Sequence, residues 1–386
     1  MKKVLIASTA LVAASLVGSP AFAAEKIKLE LGGFSKWWVV GKWNDDKYQN
    51  AQATSATVNP ASYNNVDVIG DNEIWFTGST KLDNGLSVGI EVHLEAGGHT
   101  DQSSDTIDKS FVFVEGGFGK VMLGSAANGA VQLHVMAPDA AANFGSEGLL
   151  TGGFAIAQPA ALNGIRTTTE LDTDDNSEKL TYVSPVFYGL TLGASYVPNI
   201  GTEDSRAVQR NDSEVLGVGA LYDNTFGEVG VKVSAGYITY DINPADNTSN
   251  GTDQSDEWSV GTQVTYGGFT VGGAYRKLQT DFKTTATNPG ATATSSIDGR
   301  VWDAGIQYAN GPYAVSFIYF NSQSAGTRTV AGDDEMEVYQ VSGKYALGPG
   351  VDVLGTIGHA EFTDETTTVS NNNKGWAVMT GLSLTF

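Results

Sequence analysis

Between positions 172 and 178 the chain reads Asp172-Thr173-Asp174-Asp175-Asn176-Ser177-Glu178, a run of side-chain oxygens at calcium-like spacing. It lacks the glycine of an EF-hand loop and no helical pattern flanks it. It is therefore not expected to hold a specific ion. The four histidines, His93, His99, His134 and His359, share no metal-ligand spacing, and cysteine is absent. That removes disulfides and thiolate metal sites. No His-Glu-x-x-His pair and no phosphate-cradling glycine loop is present. Neither catalysis, nor a metal, nor a cofactor is expected. What remains is charge: 43 Asp and Glu stand against 22 Lys and Arg, a net charge of −21. This balance argues against nucleic-acid binding, which needs basic patches. It suits an acidic surface or a passage that attracts cations.

The elements that carry these charges begin after a secretory signal. Lys2 and Lys3 form a basic start, residues 4–17 an apolar stretch, and Pro20 precedes Ala21-Phe22-Ala23, an A-x-A cleavage site. The stretch is shorter than the roughly 20 residues of a membrane helix. Residues 1–23 are thus expected to be removed and 24–386 to form one domain. Losing Lys2 and Lys3 takes the 22 Lys and Arg to 20 against 43 Asp and Glu, a charge of −23. The mean hydropathy of −0.13 is that of a water-soluble protein. An average of this kind conceals strands whose two faces alternate.

Sixteen such strand candidates follow. Over residues 86–96, Leu86, Val88, Ile90, Val92 and Leu94 alternate with Ser87, Gly89, Glu91, His93 and Glu95, a period of two over a membrane-crossing length. Over 228–240, Val229, Val231, Val233, Ala235 and Tyr237 oppose Lys232 and Ser234. Residues 71–81 are less regular, because Trp75 falls on the polar face. Tight turns at Leu82-Asp83-Asn84-Gly85, Gly116-Gly117-Phe118-Gly119, Gly267-Gly268 and Leu347-Gly348-Pro349-Gly350 alternate with long polar connections. The connections are 41–70, 97–107, 126–177, 198–213, 241–256, 281–299, 323–334 and 363–374. An even strand number puts all short turns at one end and all long loops at the other. A membrane barrel has this asymmetry; a soluble sandwich gives no reason for it. Hydrocarbon cannot solvate backbone N–H and C=O groups, so the sheet must close. Aromatics recur near strand ends, among them Trp37, Tyr182, Tyr240, Trp258, Tyr266, Phe269, Trp302, Tyr308, Tyr313 and Trp376, as a membrane belt requires. The expected fold is all-β: a transmembrane antiparallel β-barrel of sixteen strands.

Four local stretches resemble the general diffusion porins of Gram-negative bacteria. Asp83-Asn84-Gly85-Leu86 is similar to their first periplasmic turn. Glu115-Gly116-Gly117-Phe118-Gly119-Lys120-Val121-Met122-Leu123-Gly124 resembles the glycine-rich turn before their third loop. Leu180-Thr181-Tyr182-Val183-Ser184-Pro185-Val186-Phe187-Tyr188-Gly189-Leu190 resembles the hairpin after it. Gly381-Leu382-Ser383-Leu384-Thr385-Phe386 looks like the terminal strand that the barrel-assembly machinery reads, with its final aromatic Phe386. The resemblance implies an outer-membrane homotrimer whose third loop, here 126–177, folds into the lumen. The apolar patches 131–136 and 149–156 also favour packing of that loop inside the barrel. It implies a water-filled channel for small hydrophilic solutes, embedded in outer-membrane lipid and lipopolysaccharide, with divalent ions bridging loosely to the latter. The alternative is a channel of the same architecture selective for a sugar, phosphate or dicarboxylate; Trp38 and Trp75 would then line the lumen.

Family eyelets set loop carboxylates against wall bases. Here Asp139 and Glu147 are the loop candidates. Strand parity turns Lys28, Lys36, Lys120, Lys232, Arg276 and Lys344 inward, with Lys109 and Arg166 less clearly placed. The wall departs from the family: Glu73 and Thr77 stand where relatives carry a base, and Met122 and Ser125 where they carry arginines. Glu91 and Glu95 add negative charge. The pore-constriction set is thus Asp139, Glu147, Lys120, Glu73, Glu91, Lys28 and Arg276. An excess of wall carboxylates favours cations.

Overall fold

Alternation with period two becomes sixteen antiparallel strands. They are β1 (Lys28–Asn44), β2 (Val66–Lys81), β3 (Ser87–Glu95), β4 (Ile107–Gly116), β5 (Gly119–Ser125), β6 (Glu178–Val183), β7 (Leu190–Asn199) and β8 (Ser213–Phe226). The second half holds β9 (Val229–Ile242), β10 (Asp253–Tyr266), β11 (Phe269–Asp281), β12 (Ser296–Asn310), β13 (Tyr313–Ser324), β14 (Asp334–Gly348), β15 (Val351–Thr363) and β16 (Asn373–Thr385). The computed structural model describes residues 26–52, 64–97, 107–162, 165–200, 213–242, 253–281, 296–325 and 332–386; the expected signal segment 1–23 lies outside them.

Each strand pairs with its neighbour in sequence, and β16 pairs with β1, so the sheet is closed. At the seam Trp37 meets Leu382 and Trp43 meets Trp376. The Phe386 N–H donates to the Gly33 carbonyl at 3.1 Å, and the Gly33 N–H donates back to Phe386 at 3.1 Å. Closure leaves no edge, and in hydrocarbon each unpaired backbone group would cost several kcal/mol.

Turns at 82–86, 117–118, 184–189, 227–228, 267–268, 311–312 and 349–350 share one end of the barrel with Lys28 and Thr385. They are short because glycine supplies the left-handed residue. Gly85 has φ 86° and Gly268 φ 86°, where a Cβ would cost about 1–2 kcal/mol. Gly85-Leu86-Ser87-Val88-Gly89 has the spacing of a nucleophile elbow. Ser87 instead opens β3 after a hairpin turn, with no helix following.

The first long connection is shorter than 41–70. β1 runs on to Asn44, a helix α1 occupies Asp46–Gln52, and β2 starts at Val66. Trp43, Val66 and Val68 are exposed apolar residues that extend the outer face. Glycine and charge around position 41 concealed them.

On the outer face the aromatics form two rings. In one, Tyr275 meets Trp302, Tyr319 meets Tyr339, and Trp376 meets both His359 and Trp43. In the other, Phe269 meets Tyr308 and Tyr313 meets Tyr345. The rings are six residues apart on each of these strands, about 20 Å along the chain. Val271, Ile306, Val315, Phe317 and Val341 are exposed between them. This is an apolar band flanked by interfacial girdles. Tyr240 is no part of it. It is buried on the opposite face and donates to Glu257 Oε1 at 3.0 Å.

Candidate functional site: loop 126–177 and the inner wall

The inner wall of the barrel presents short polar side chains, and loop 126–177 uses them as anchors. The loop opens with α2 (Gly129–Gln132), whose N-cap Asn128 accepts from the Ala130 and Val131 N–H groups. Gly193 on β7, Gly219 on β8 and Gly236 on β9 leave room for it: a Cβ on Gly219 would stand 2.7 Å from Ala130 Cα. The Gly129 N–H donates to Ser195 Oγ at 2.8 Å. The chain then crosses strand after strand. Val135 N–H donates to Ser234 at 3.0 Å, Ala137 N–H to Asp303 at 2.7 Å, and Ala140 N–H to Ser316 at 2.9 Å. Ala157 N–H donates to Asn44 Oδ1 at 2.9 Å, and Asn373 donates to the Ala157 carbonyl at 2.7 Å. Backbone groups that would otherwise be buried unpaired are thus satisfied by β1, β9, β12, β13 and β16.

Between these bonds the loop shares an apolar core with the strands. Leu149, Leu150, Ile156 and Leu162 pack with Trp38, Phe320, Met336, Phe362 and Met379. A fully buried side chain of this kind contributes about 1.5–3 kcal/mol. Trp38 is 2 % exposed beneath the loop, so it offers no face to a solute. The fit is tight at β10, where a Cβ on Gly261 would meet the Val135 carbonyl oxygen at 1.8 Å. Gly261→Leu is expected to unseat this part of the loop, at about 1–3 kcal/mol of overpacking. Limited proteolysis reads the result as new cuts within 126–177; an unchanged digestion pattern would contradict it.

The returning arm is held by ions. The Arg276 side chain on β11 is 0 % exposed; its Nη2 lies 2.5 Å from Glu257 Oε2 and its Nη1 2.7 Å from Asp172 Oδ1. It also donates to the Thr168 carbonyl at 3.3 Å, to the Glu170 carbonyl and to Thr173 Oγ1 at 2.8 Å. Lys179 Nζ, buried, is 3.0 Å from Asp174 Oδ2. Asn128 Nδ2 donates to Asp174 Oδ1 at 2.5 Å. The calcium-like run therefore spends Asp172 and Asp174 on the protein's own cations.

The predicted constriction residues part company here. Arg276 lies on the inner wall as parity requires, but no water reaches it; it fastens the loop instead of facing the passage. Lys28 sits beside Ser79 at the exposed short-turn end of β1, the opposite end of that strand from the loop anchor Asn44. Asp139 serves the loop's own turn. It accepts from the Ala141 and Asn143 N–H groups at 3.3 and 2.6 Å, from Ser316 Oγ at 3.0 Å and from Gln340 Nε2 at 3.2 Å. Glu147 is exposed, and Lys109 feels its charge.

Glu73, Glu91 and Lys120 share the wall of β2 to β5. There Trp75 Nε1 donates to Glu73 Oε2 at 2.5 Å, and His93 Nε2 lies 2.8 Å from Glu91 Oε1. Lys36 Nζ is 3.5 Å from Asp71 Oδ2 and donates to the Ala142 carbonyl of the loop at 3.1 Å. Lys109 Nζ is 2.9 Å from Asp108 Oδ2. Lys120 Nζ stands 4.5 Å above the Phe113 ring, beside Phe111 and the buried Met122. Sequence reasoning did not single out His93, Asp71 or Asp108. The signal was there in the shared parity of Glu73 and Trp75 on one strand with Glu91 and His93 on the next.

A family model described as Gram-negative porin matches residues 7–365. No curated protein matches the chain. Among solved structures, an anion-selective porin from Comamonas acidovorans is similar over 94% of this chain and 100% of its own, at 14% identity and a TM-score of 0.61. OmpT, an outer membrane protein of Vibrio cholerae in its trimer form, is similar over 94% of this chain and 100% of its own, at 12% identity and a TM-score of 0.59. The outer membrane channel DcaP of Acinetobacter baumannii covers 95% of this chain and 100% of its own, at 12% identity and a TM-score of 0.59. At these identities the likeness is one of fold.

Proposed function

The chain belongs to the Gram-negative porin family and is an outer-membrane channel; we propose that it passes small hydrophilic solutes and ions by passive diffusion and prefers cations. In this reading loop 126–177 lies within the lumen and narrows it against β2 to β5. The support is that one segment bonds inner-wall residues from β7 round to β1.

The observation that carries the ion preference is the charge of the wall opposite. Asp71, Glu73, Glu91, Glu95 and Asp108 stand there against Lys36, Lys109 and Lys120; of the other lysines on that face of β1 and β2, Lys42 pairs with Asp67 at 2.8 Å and Lys28 and Lys81 lie at the short-turn end. Glu147 adds a carboxylate from the loop. Carboxylate-lined constrictions lower the energy of cations and raise that of anions. The Comamonas protein is described as anion-selective; the preference proposed here is the opposite one. We also propose a homotrimer, in keeping with the trimer form of the Vibrio relative. Removal of residues 1–23, contact with lipopolysaccharide and recognition of the exposed terminal Phe386 by the assembly machinery belong to the same reading.

Single-channel recording under a salt gradient tests it. The reversal potential is expected to favour cations, and Glu147→Gln to move it toward anions. Glu147 is the probe because it is exposed, whereas replacing Asp139 would break four hydrogen bonds that hold the loop's own turn. An anion-favouring reversal potential in the unaltered protein would sink the proposal.

A further inference from the structure

We propose that Glu73, His93 and Asp108 form a binding site for a first-row divalent transition metal ion, with Zn²⁺ as its probe, on the inner wall of the channel. The three residues come from β2, β3 and β4, side by side through the register Trp75–His93–Lys109. One ligand atom from each lies within 4.8 Å of the others. Their spacing in sequence hides them, since each strand contributes one ligand.

The geometry at His93 points to a cation. Its Nε2 lies 2.8 Å from Glu91 Oε1. An ionised carboxylate can only accept, so Nε2 carries a proton and Nδ1 is the nitrogen left to ligate when the ring is neutral. That Nδ1 is buried, makes no hydrogen bond, and lies 3.4 Å from Glu73 Oε2. A bare lone pair facing a carboxylate oxygen across such a gap is repulsive unless positive charge, a second ring proton or a metal ion, sits between them. Two donors each about 2.0–2.1 Å from a tetrahedral ion stand about 3.3–3.4 Å apart. The gap therefore has the size of a coordination edge.

The surroundings are those of a metal-binding imidazole. A ligating histidine characteristically donates its other nitrogen to a carboxylate, which fixes tautomer and ring orientation; Glu91 fills that place. Trp75 stacks on the His93 ring at 5.1 Å and donates to Glu73 Oε2 at 2.5 Å, fixing both ligands. Asp108 is oriented by Asn176, which donates to its Oδ1 at 2.7 Å, while Lys109 pairs with its Oδ2 at 2.9 Å. Each carboxylate oxygen keeps a second lone pair. Three protein ligands leave a fourth position for water, so the ion can exchange with the lumen. Imidazole among the donors favours Zn²⁺, Ni²⁺ or Cu²⁺ over the all-oxygen preference of Ca²⁺ and Mg²⁺. A bound dication would neutralise the carboxylates that attract permeating cations.

The test uses the full mature protein, purified without a histidine tag, stripped with chelator and dialysed to equilibrium against Zn²⁺. The unaltered protein is expected to bind one ion per chain at this site. His93→Gln is expected to lose it, and Glu91→Gln to bind about 10–100-fold more weakly, as loss of a supporting carboxylate does. His359→Gln, on the outer face beside Trp376, is expected to bind normally. Heat-dependent gel mobility confirms that each variant is folded; Glu91→Gln keeps the test open should His93→Gln misfold. In bilayers Zn²⁺ is expected to reduce the conductance of the unaltered protein and spare that of His93→Gln. No Zn²⁺ binding by the unaltered protein, or equal binding by His93→Gln or Glu91→Gln, would overturn the proposal. The conductance arm rests on the diffusion reading, whereas dialysis does not. Binding without any channel in the recordings would sink that reading and leave the metal site standing.

Discussion

Arg276→Met is expected to release the returning arm of loop 126–177 at a cost of about 3–5 kcal/mol, the usual penalty for removing one partner of a buried ion pair. The size follows from what is left behind. Glu257 is fully buried, and its remaining cation is Arg166 at 3.5 Å. Asp172 loses its partner at 2.7 Å, and the Thr168 and Glu170 carbonyls lose a donor. Most of the loss is therefore an uncompensated charge and not a missing attraction. The double variant Arg276→Met with Glu257→Gln removes that charge and should recover much of the stability, because a buried pair is worth little against a well-packed neutral replacement. The midpoint of the heat-dependent mobility shift reads the stability, and noise in the single-channel current reads the loosened arm. If the double variant were less stable than Arg276→Met alone, the account of Glu257 as the stranded charge would fail.

The barrel was legible because its two determinants are local. Alternation such as Leu86 to Leu94 against Ser87 to Glu95 marks a face, and Asp83-Asn84-Gly85 marks a reversal. Neither needs knowledge of distant residues. Strand ends were less legible, since nothing in Trp43 or Val66 says that a sheet continues past Gly41. The site was harder still. Parity turns Arg276, Lys120 and Lys28 to one face alike. Parity does not say that the first is sealed under the loop, the second rests on an aromatic ring, and the third stands at the exposed end. Those differences come from contacts across 104 positions in the case of Arg276 and Asp172. The wall cluster of Glu73, His93 and Asp108 escaped for a related reason: motif spacing along one segment carries no information about neighbours across a sheet. The calcium-like run misled in the other direction. Its oxygens are real, but Lys179 and Arg276 had already claimed them.

The docked loop should also show a pH response that is masked in the unaltered protein and exposed by two substitutions. Glu170, half-buried, is raised from the ordinary 4.5 to about 7, chiefly by burial and then by the charge of Asp172, with Asp303 adding and Thr168 and Arg276 opposing. Its docked form holds a proton that the undocked form has lost, so its stabilisation is present below pH 4.5 and disappears as pH rises through 7. His134, which lies 3.1 Å from Thr169 Oγ1, is lowered from 6.5 to about 4, chiefly by burial and then by Arg276, with Asp172 opposing. Its docked form lacks a proton that the undocked form takes up. Its stabilisation is present above pH 6.5 and disappears as pH falls through 4. At 1.36 kcal/mol per unit each shift would amount to roughly 3 kcal/mol, and partial access to solvent reduces that to about 1–2 kcal/mol. The two slopes oppose each other between pH 4.5 and 6.5, so the unaltered loop should be nearly indifferent to pH there. Glu170→Gln leaves the histidine alone, and the loop should loosen as the solution is acidified. His134→Asn leaves the carboxyl alone, and the loop should loosen as the pH is raised toward 7 and beyond. Hydrogen exchange of the 126–177 amides, corrected for the intrinsic pH dependence, measures both. Parallel trends in the two variants would show that these groups do not set the response.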